Sequence, residues 1–185
     1  MYKDLTTTED IMNRWGNHLP MLLSVIGRTW GPILEYGMGN YSTPILHEIC
    51  KAMDKKLISI EENDYEWFKK FEKYDSEFHD LHFLQGKELD DVNFNNIDCR
   101  WGVVLIDHDN KRRAVDLLKY KNTADFIVMH DTELGADYHL YNRNNSLEDV
   151  FNTFKYRYNY RKLSPAPNTT VVSNFYDLEF LKGVE

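Results

Sequence analysis

From residue 30 onward, short apolar runs alternate with segments of helical spacing, and this alternation constrains the fold more than any other feature of the chain. The runs Pro32–Tyr36, Lys56–Glu61, Asp80–Leu84, Gly102–Ile106 and Asp125–Met129 read as strands. Between them lie three helical patterns. Pro44–Met53 carries Ile45, Leu46, Ile49 and Met53 on one face, a second helix presents Trp67, Phe68, Phe71 and Tyr74, and a third spans about Arg112–Tyr120. Strand–helix–strand repetition makes crossover connections, so the strands should run parallel with helices on both faces. The unbroken apolar runs of strands four and five suit such doubly covered positions. A helix near Leu147–Phe154 then leads to an antiparallel pair, Lys155–Leu163 and Thr169–Phe175, around the turn Ser164–Asn168. The pattern predicts a three-layer αβα sandwich on a mostly parallel seven-stranded sheet that ends in an antiparallel hairpin.

Residues 1–29 read as a helical segment packed on this domain, which occupies 30–185. Thr7 and Thr8 before Glu9 and Asp10 mark a helix start, and Ile11, Trp15, Leu19, Leu22, Leu23 and Ile26 follow at helical spacing. Pro20 should split the pattern into two short helices meeting near His18-Leu19. They would pack on the sheet or lie over its ligand site, with His18 placed for a lid and Trp15 in the apolar stripe. Thr43 is the expected cap of the first domain helix, with Pro44 at its first position. Asn63 and Glu66 are spaced as a capping box for the next.

A chain of 185 residues and net charge −8 lacks the concentrated basic surface that nucleic-acid binding needs. The basic-aromatic stretch Lys155–Arg161 reads instead as an amphipathic strand, Tyr on one face and Lys/Arg on the other. No apolar run approaches a membrane span, and Met1–Asp10 lacks the basic and apolar regions of a signal peptide. Cys50 and Cys99 are too few for a disulfide framework, which points to a reducing, cytoplasmic compartment.

In an open parallel sheet, ligands bind beyond the carboxyl ends of the strands. Four polar segments fall there: Glu35–Ser42, Glu61-Glu62, Asp107-His108 and His130-Asp131. Gly37 and Gly39 permit a tight turn and a close backbone approach to a ligand. Glu61, at the end of strand two, can accept both ribose hydroxyls of an adenosine. Dinucleotides and S-adenosylmethionine share these needs. Ser42 stands where a dinucleotide fingerprint wants Gly or Ala, and Glu35 suits a cationic amino acid while repelling a pyrophosphate. Little chain remains for the separate substrate domain that many dehydrogenases carry.

Glu35-Tyr36-Gly37-Met38-Gly39 resembles the glycine-rich motif of class I S-adenosylmethionine-dependent methyltransferases, which are Rossmann-like, and Ile58-Ser59-Ile60-Glu61 resembles their acidic second-strand motif. The resemblance spans about residues 30–175, terminal hairpin included. It implies that Glu35, Gly37, Gly39 and Ser42 border the methionine part of the cofactor and that Glu61 holds its ribose; Asp107 joins this cofactor set. A departure lies at Gly86-Lys87, where the family commonly has an acidic residue for adenine; Asp90 or Asp91 could substitute. Val104–His108, Arg112-Arg113 and Phe126–Asp131 are similar to small sugar and polysaccharide O-methyltransferases and, more loosely, to metal-dependent O-methyltransferases.

The expected activity is methyl transfer to a small polar acceptor such as a sugar hydroxyl, which must lose its proton. His108 is the first candidate base and Asp131 the second. Asp107 and Asp131, with His130, could instead hold a divalent cation such as magnesium. Strand-end carboxylates also cap turns, and either histidine could simply bond backbone. Arg112 and Arg113 could grip an acidic acceptor such as a uronate, though the solvated face of a helix is the commoner reason for such a pair. The competing readings are a binding or scaffold subunit without catalysis and an NAD-dependent oxidoreductase.

Overall fold

The computed structural model describes residues 16–84, 99–108, 112–132, 140–142, 145–161 and 168–184. Nine strands are described: β1 (Ile33–Tyr36), β2 (Leu57–Glu61), β3 (His79–Phe83), β4 (Trp101–Ile106), β5 (Ala124–His130), β6 (Leu140–Asn142), β7 (Asn145–Ser146), β8 (Tyr156–Tyr160) and β9 (Thr169–Ser173). The α-helices are α1 (Leu19–Ile26), α2 (Ser42–Ala52), α3 (Tyr65–Lys69), α4 (Arg113–Tyr120) and α5 (Leu147–Phe151). The main sheet has seven strands in the order β3-β2-β1-β4-β5-β9-β8. β1 to β5 pair in parallel, while β9 is antiparallel to both β5 and β8. β6 and β7 form a separate two-stranded sheet.

Period-two alternation divides the strands between two cores. Ile33, Leu57, Val103, Leu105, Phe126, Val128 and Val171 face α1 and α2, where Leu19, Leu22, Val25, Ile26, Leu46 and Cys50 meet them. Leu34, Tyr36, Ile58, Ile60, Val104, Ile106, Ile127 and Met129 face α4 and α5, meeting Ala114, Leu117, Val150 and Phe151. Burial on both faces explains why β4 and β5 read as unbroken apolar runs. Each fully buried Leu, Ile or Val stabilises by about 1.5–3 kcal/mol relative to exposure, so the layers hold a rigid platform under the strand ends.

Several boundaries differ from expectation, for local reasons. α2 begins at Ser42 after Tyr41, so Thr43 lies inside the first turn rather than capping it. Its hydroxyl is committed elsewhere, as described below. Asp64, not Asn63, caps α3 through a hydrogen bond from the Trp67 amide. α1 starts one residue before Pro20, where the missing N–H is harmless. Leu23 is 40% exposed, and Met21 takes a buried place on the sheet-facing side instead. Ile11, Trp15, Lys87, Asp90, Asp91 and most of the turn after β8 lie outside the described residues. On β8, Tyr156, Tyr158 and Tyr160 do share the face packed on the core. Arg157, on the opposite face, pairs with Glu148 and covers the Phe151 ring. Among the described residues, no helix is long and apolar enough to cross a membrane. Both cysteines are free, Cys50 buried and Cys99 exposed.

Candidate functional site

The chain leaves β1 towards β2 and β3 and returns to β4 on the other side of β1, so the crevice where the order reverses lies between the carboxyl ends of β1 and β4. Register places Tyr36 beside Ile106, and the Asp107 amide donates to the Tyr36 carbonyl at 2.7 Å. Gly37 follows at φ +97°, and a Cβ there would be driven into the Asp107 carbonyl. The backbone approach that Gly37 permits is therefore to β4. Gly39 differs. Among the described residues, an added Cβ would meet only the Ser42 hydroxyl, at 3.2 Å, so they leave one side of this residue unfilled.

A buried hydrogen-bond network holds this turn. Glu35, fully buried, accepts from the Thr43 hydroxyl at 3.0 Å and from the Ser59 hydroxyl, with Ser42 also bonded to it. Thr43 in turn accepts the Gly39 amide at 3.0 Å. Ser59 continues the chain to His79 Nε2 at 2.8 Å, and His79 Nδ1 lies 3.1 Å from His47 Nδ1. Burial raises the Glu35 carboxyl to about 7, although the three hydroxyls pull against that shift. Burial also lowers His79, to about 3. Glu35 thus faces the protein interior and positions the turn through Thr43. Ser42, 1% exposed, is part of the same network. Met38 packs among Phe68, Phe71 and Tyr74, and the Trp67 indole donates to its carbonyl at 2.8 Å.

At the end of β2, Glu61 Oε1 accepts the amides of Glu62 and Asn63 at 3.0 and 2.9 Å, which fixes its carboxylate at the strand end. Glu62, next in sequence, accepts the Tyr36 hydroxyl at 2.8 Å and lies 3.4 Å from His108 Nδ1. The His108 side chain is 1% exposed, with Asp116 Oδ2 3.0 Å from Nε2 and the Tyr36 ring 3.8 Å away. Burial disfavours its charged form, but Asp116 and Glu62 outweigh burial and raise its pKa. His108 is locked between two carboxylates and does not reach the crevice.

The ends of β4 and β5 are tied by Arg113. Its guanidinium donates to the His108 and His130 carbonyls, both at 2.8 Å, and lies 3.4 Å from Asp107 Oδ1 and from Asp131 Oδ2. With a side chain 7% exposed, it neither grips an external anion nor forms a solvated helix face. Asp131 adopts φ 53°, a left-handed conformation unusual for a non-glycine. Asp107 and Asp131 retain 22% and 26% side-chain exposure against 2% for His130, so the two carboxylates are the groups here that meet solvent. Burial would raise the Asp107 pKa, but the His130 hydrogen bond, together with His130, His18 and Arg113 charge, holds it below the ordinary value.

His130 Nδ1 lies 3.2 Å from Asp107 Oδ1, and Nε2 lies 2.7 Å from Asn17 Oδ1. Burial lowers the His130 pKa, but Asp107 reverses that effect and leaves it raised. His18, in the turn before α1, sets its ring 4.6 Å from the His130 ring at a tilt of 58°. Burial, then the charge of His130, lowers His18 to about 3. Among the described residues, His18, Asp107 and His130 bring potential metal-ligand atoms within 4.8 Å of one another. Two of the three ligands expected from sequence, Asp107 and His130, stand together here; His18 is the third member, and Asp131 is beside Arg113. Ser59 carried a signal in sequence as a polar residue in an apolar strand and His18 was expected in a lid over the site, whereas Asn17 carried none.

No protein-family model matches the sequence, and no curated protein does. Solved structures do. An O-methyltransferase candidate from Klebsiella pneumoniae aligns over 95% of this chain and 84% of its own, at TM-score 0.62 and 15% identity. Cofactor-bound Rv0187 from MTB aligns over 95% and 84%, at TM-score 0.59 and 12% identity. The N-terminal domain of EvdMO1 with SAH bound aligns over 84% and 78%, at TM-score 0.51 and 11% identity. At these identities the likeness establishes the fold, a Rossmann-like αβα sandwich with antiparallel final strands.

Proposed function

We propose that this chain is an S-adenosylmethionine-dependent methyltransferase acting on a hydroxyl of a small polar acceptor, such as a sugar. The observation that carries the reading is the side of Gly39 left free by the described residues, in the turn after β1, with the fixed carboxylate of Glu61 at the end of the neighbouring β2. Neighbours in fold space that bind S-adenosylhomocysteine or are described as methyltransferases support it. Gly39 and the backbone of the turn would border the methionine part and Glu61 the ribose, while Glu35 and Ser42 hold the turn from beneath.

Methyl transfer is an in-line displacement: the acceptor oxygen bonds the methyl carbon as the carbon–sulfur bond breaks, and the hydroxyl proton must leave. The base role passes to Asp131, because His108 is enclosed by Glu62 and Asp116 whereas Asp131 reaches solvent at the end of β5. Arg113 keeps Asp131 in its strained conformation and braces Asp107 beside it. A divalent cation at Asp107 and His130, when bound, would lower the pKa of an acceptor hydroxyl.

Thermal-shift titration with S-adenosylmethionine, S-adenosylhomocysteine and NAD tests the cofactor, since a specific ligand stabilises by mass action. Stabilisation by the first two is expected. Response to NAD alone would overturn the reading, and response to none would favour a binding or scaffold role. With the cofactor established, transfer of labelled methyl to a panel of sugars, uronates and catechols identifies the acceptor class.

A further inference from the structure

We infer that His18, Asp107 and His130 form a site for a transition-metal dication of the zinc, cobalt or iron kind, in preference to magnesium. The inference rests on the methyltransferase reading only for the use made of the ion; binding itself follows from the side chains.

Three observations converge. First, the three residues come from separate elements, the turn before α1 and the ends of β4 and β5, yet their donor atoms lie within 4.8 Å of one another. Donors on one ion at about 2.0–2.2 Å lie roughly 3–4 Å apart, so only a small contraction is needed. Second, both ring nitrogens of His18 are buried and have no hydrogen-bond partner among the described residues. A buried polar group left this way costs about 1–3 kcal/mol, and coordination would satisfy one nitrogen. Third, His130 Nδ1 and Asp107 Oδ1 lie 3.2 Å apart, the spacing of two donors on one ion, while Nε2 is turned away towards Asn17 Oδ1, 2.7 Å from it. The Asn17–His130 bond is also the outer hydrogen bond that typically orients a metal-binding imidazole.

The donor set then selects the ion. Magnesium prefers an octahedral shell of oxygens and keeps its waters. Two imidazoles and one carboxylate suit zinc, iron, cobalt or nickel. His18 is decisive here: without it the strand ends would offer mainly oxygen donors from Asp107 and Asp131.

The test uses the full chain, stripped with a chelator and titrated calorimetrically with zinc, cobalt(II) and magnesium chlorides. One equivalent of zinc or cobalt should bind at least about a hundredfold more tightly than magnesium. Proton NMR of the cobalt-loaded chain should show hyperfine-shifted imidazole protons from two histidines. His18→Ala should lower zinc affinity at least about tenfold, and so should Asn17→Ala, by releasing His130. The wild-type spectrum decides the matter even where a variant folds poorly. Magnesium binding as tight as zinc, or fewer than two shifted histidines, would overturn the proposal. Zinc binding without any response to S-adenosylmethionine would uphold the metal site and sink the methyltransferase reading; the reverse result would do the opposite.

Discussion

The two halves of the crevice are built on opposite electrostatic principles. Around the β1–α2 turn, a single carboxylate, Glu35, is met by neutral hydroxyls and raised towards neutrality. Around the ends of β4 and β5, charges are met by charges: Arg113 with Asp107 and Asp131, and His108 with Glu62 and Asp116. The first arrangement shapes backbone and leaves one glycine face open for a ligand. The second fixes side chains at the strand ends through ion pairs.

The contrast predicts unequal responses to substitution. Arg113→Met should have the largest effect, about 3–5 kcal/mol of destabilisation in urea unfolding, because it strands two carboxylates and two carbonyls. A loss below about 1 kcal/mol would show that the β4–β5 half does not depend on its ion pairs. Gly37→Ala should cost about 3 kcal/mol, since strain at positive φ adds to a backbone clash. Glu35→Gln should act through pH. Native Glu35 holds its proton up to about 7, whereas the unfolded chain releases it near 4.5, so this group's contribution is full below 4.5 and declines as pH rises to 7. The variant should flatten the stability profile in that window and be the more stable form, relative to wild type, at pH 8. An unchanged slope would mean that the carboxylate is charged in the native state. The smallest stability change, under about 1 kcal/mol, should follow Gly39→Val, with cofactor affinity nonetheless falling at least about tenfold by calorimetry. Undiminished affinity would remove Gly39 from the cofactor site and erase the functional difference between the two glycines. Asp131→Asn should lower turnover while leaving cofactor affinity within about twofold, and equal losses in both would make its role structural.

The succession of strands and helices, the two-faced cores and the terminal hairpin were legible because they rest on apolar periodicity, which is local. The glycine turn and Glu61 were legible for the same reason, lying where a strand ends. Which charge meets which was not. Glu62 and His108 are both at strand ends, but their pairing depends on Asp116 from α4 standing over the same edge. Arg113 looked like a helix surface residue because its spacing says nothing of a guanidinium reaching back to two strand ends. Thr43 looked like a cap because its hydroxyl's true partners, Glu35 and the Gly39 amide, are brought together only by the turn. Asn17 and His18 lay in a segment whose helical pattern allowed a lid containing His18 but gave no hint of a bond from Asn17 to the fifth strand.

That last pair carries a consequence for biogenesis. Asn17 meets His130 across 113 positions of sequence. During vectorial synthesis the arm bearing Asn17 leaves the ribosome early, while its side-chain partner at the end of the fifth strand emerges only later. Completion of the crevice is thus tied to a loop closure of 113 positions, and a nascent polypeptide stalled before that strand would expose a finished β1–α2 turn beside an unbuilt opposite wall.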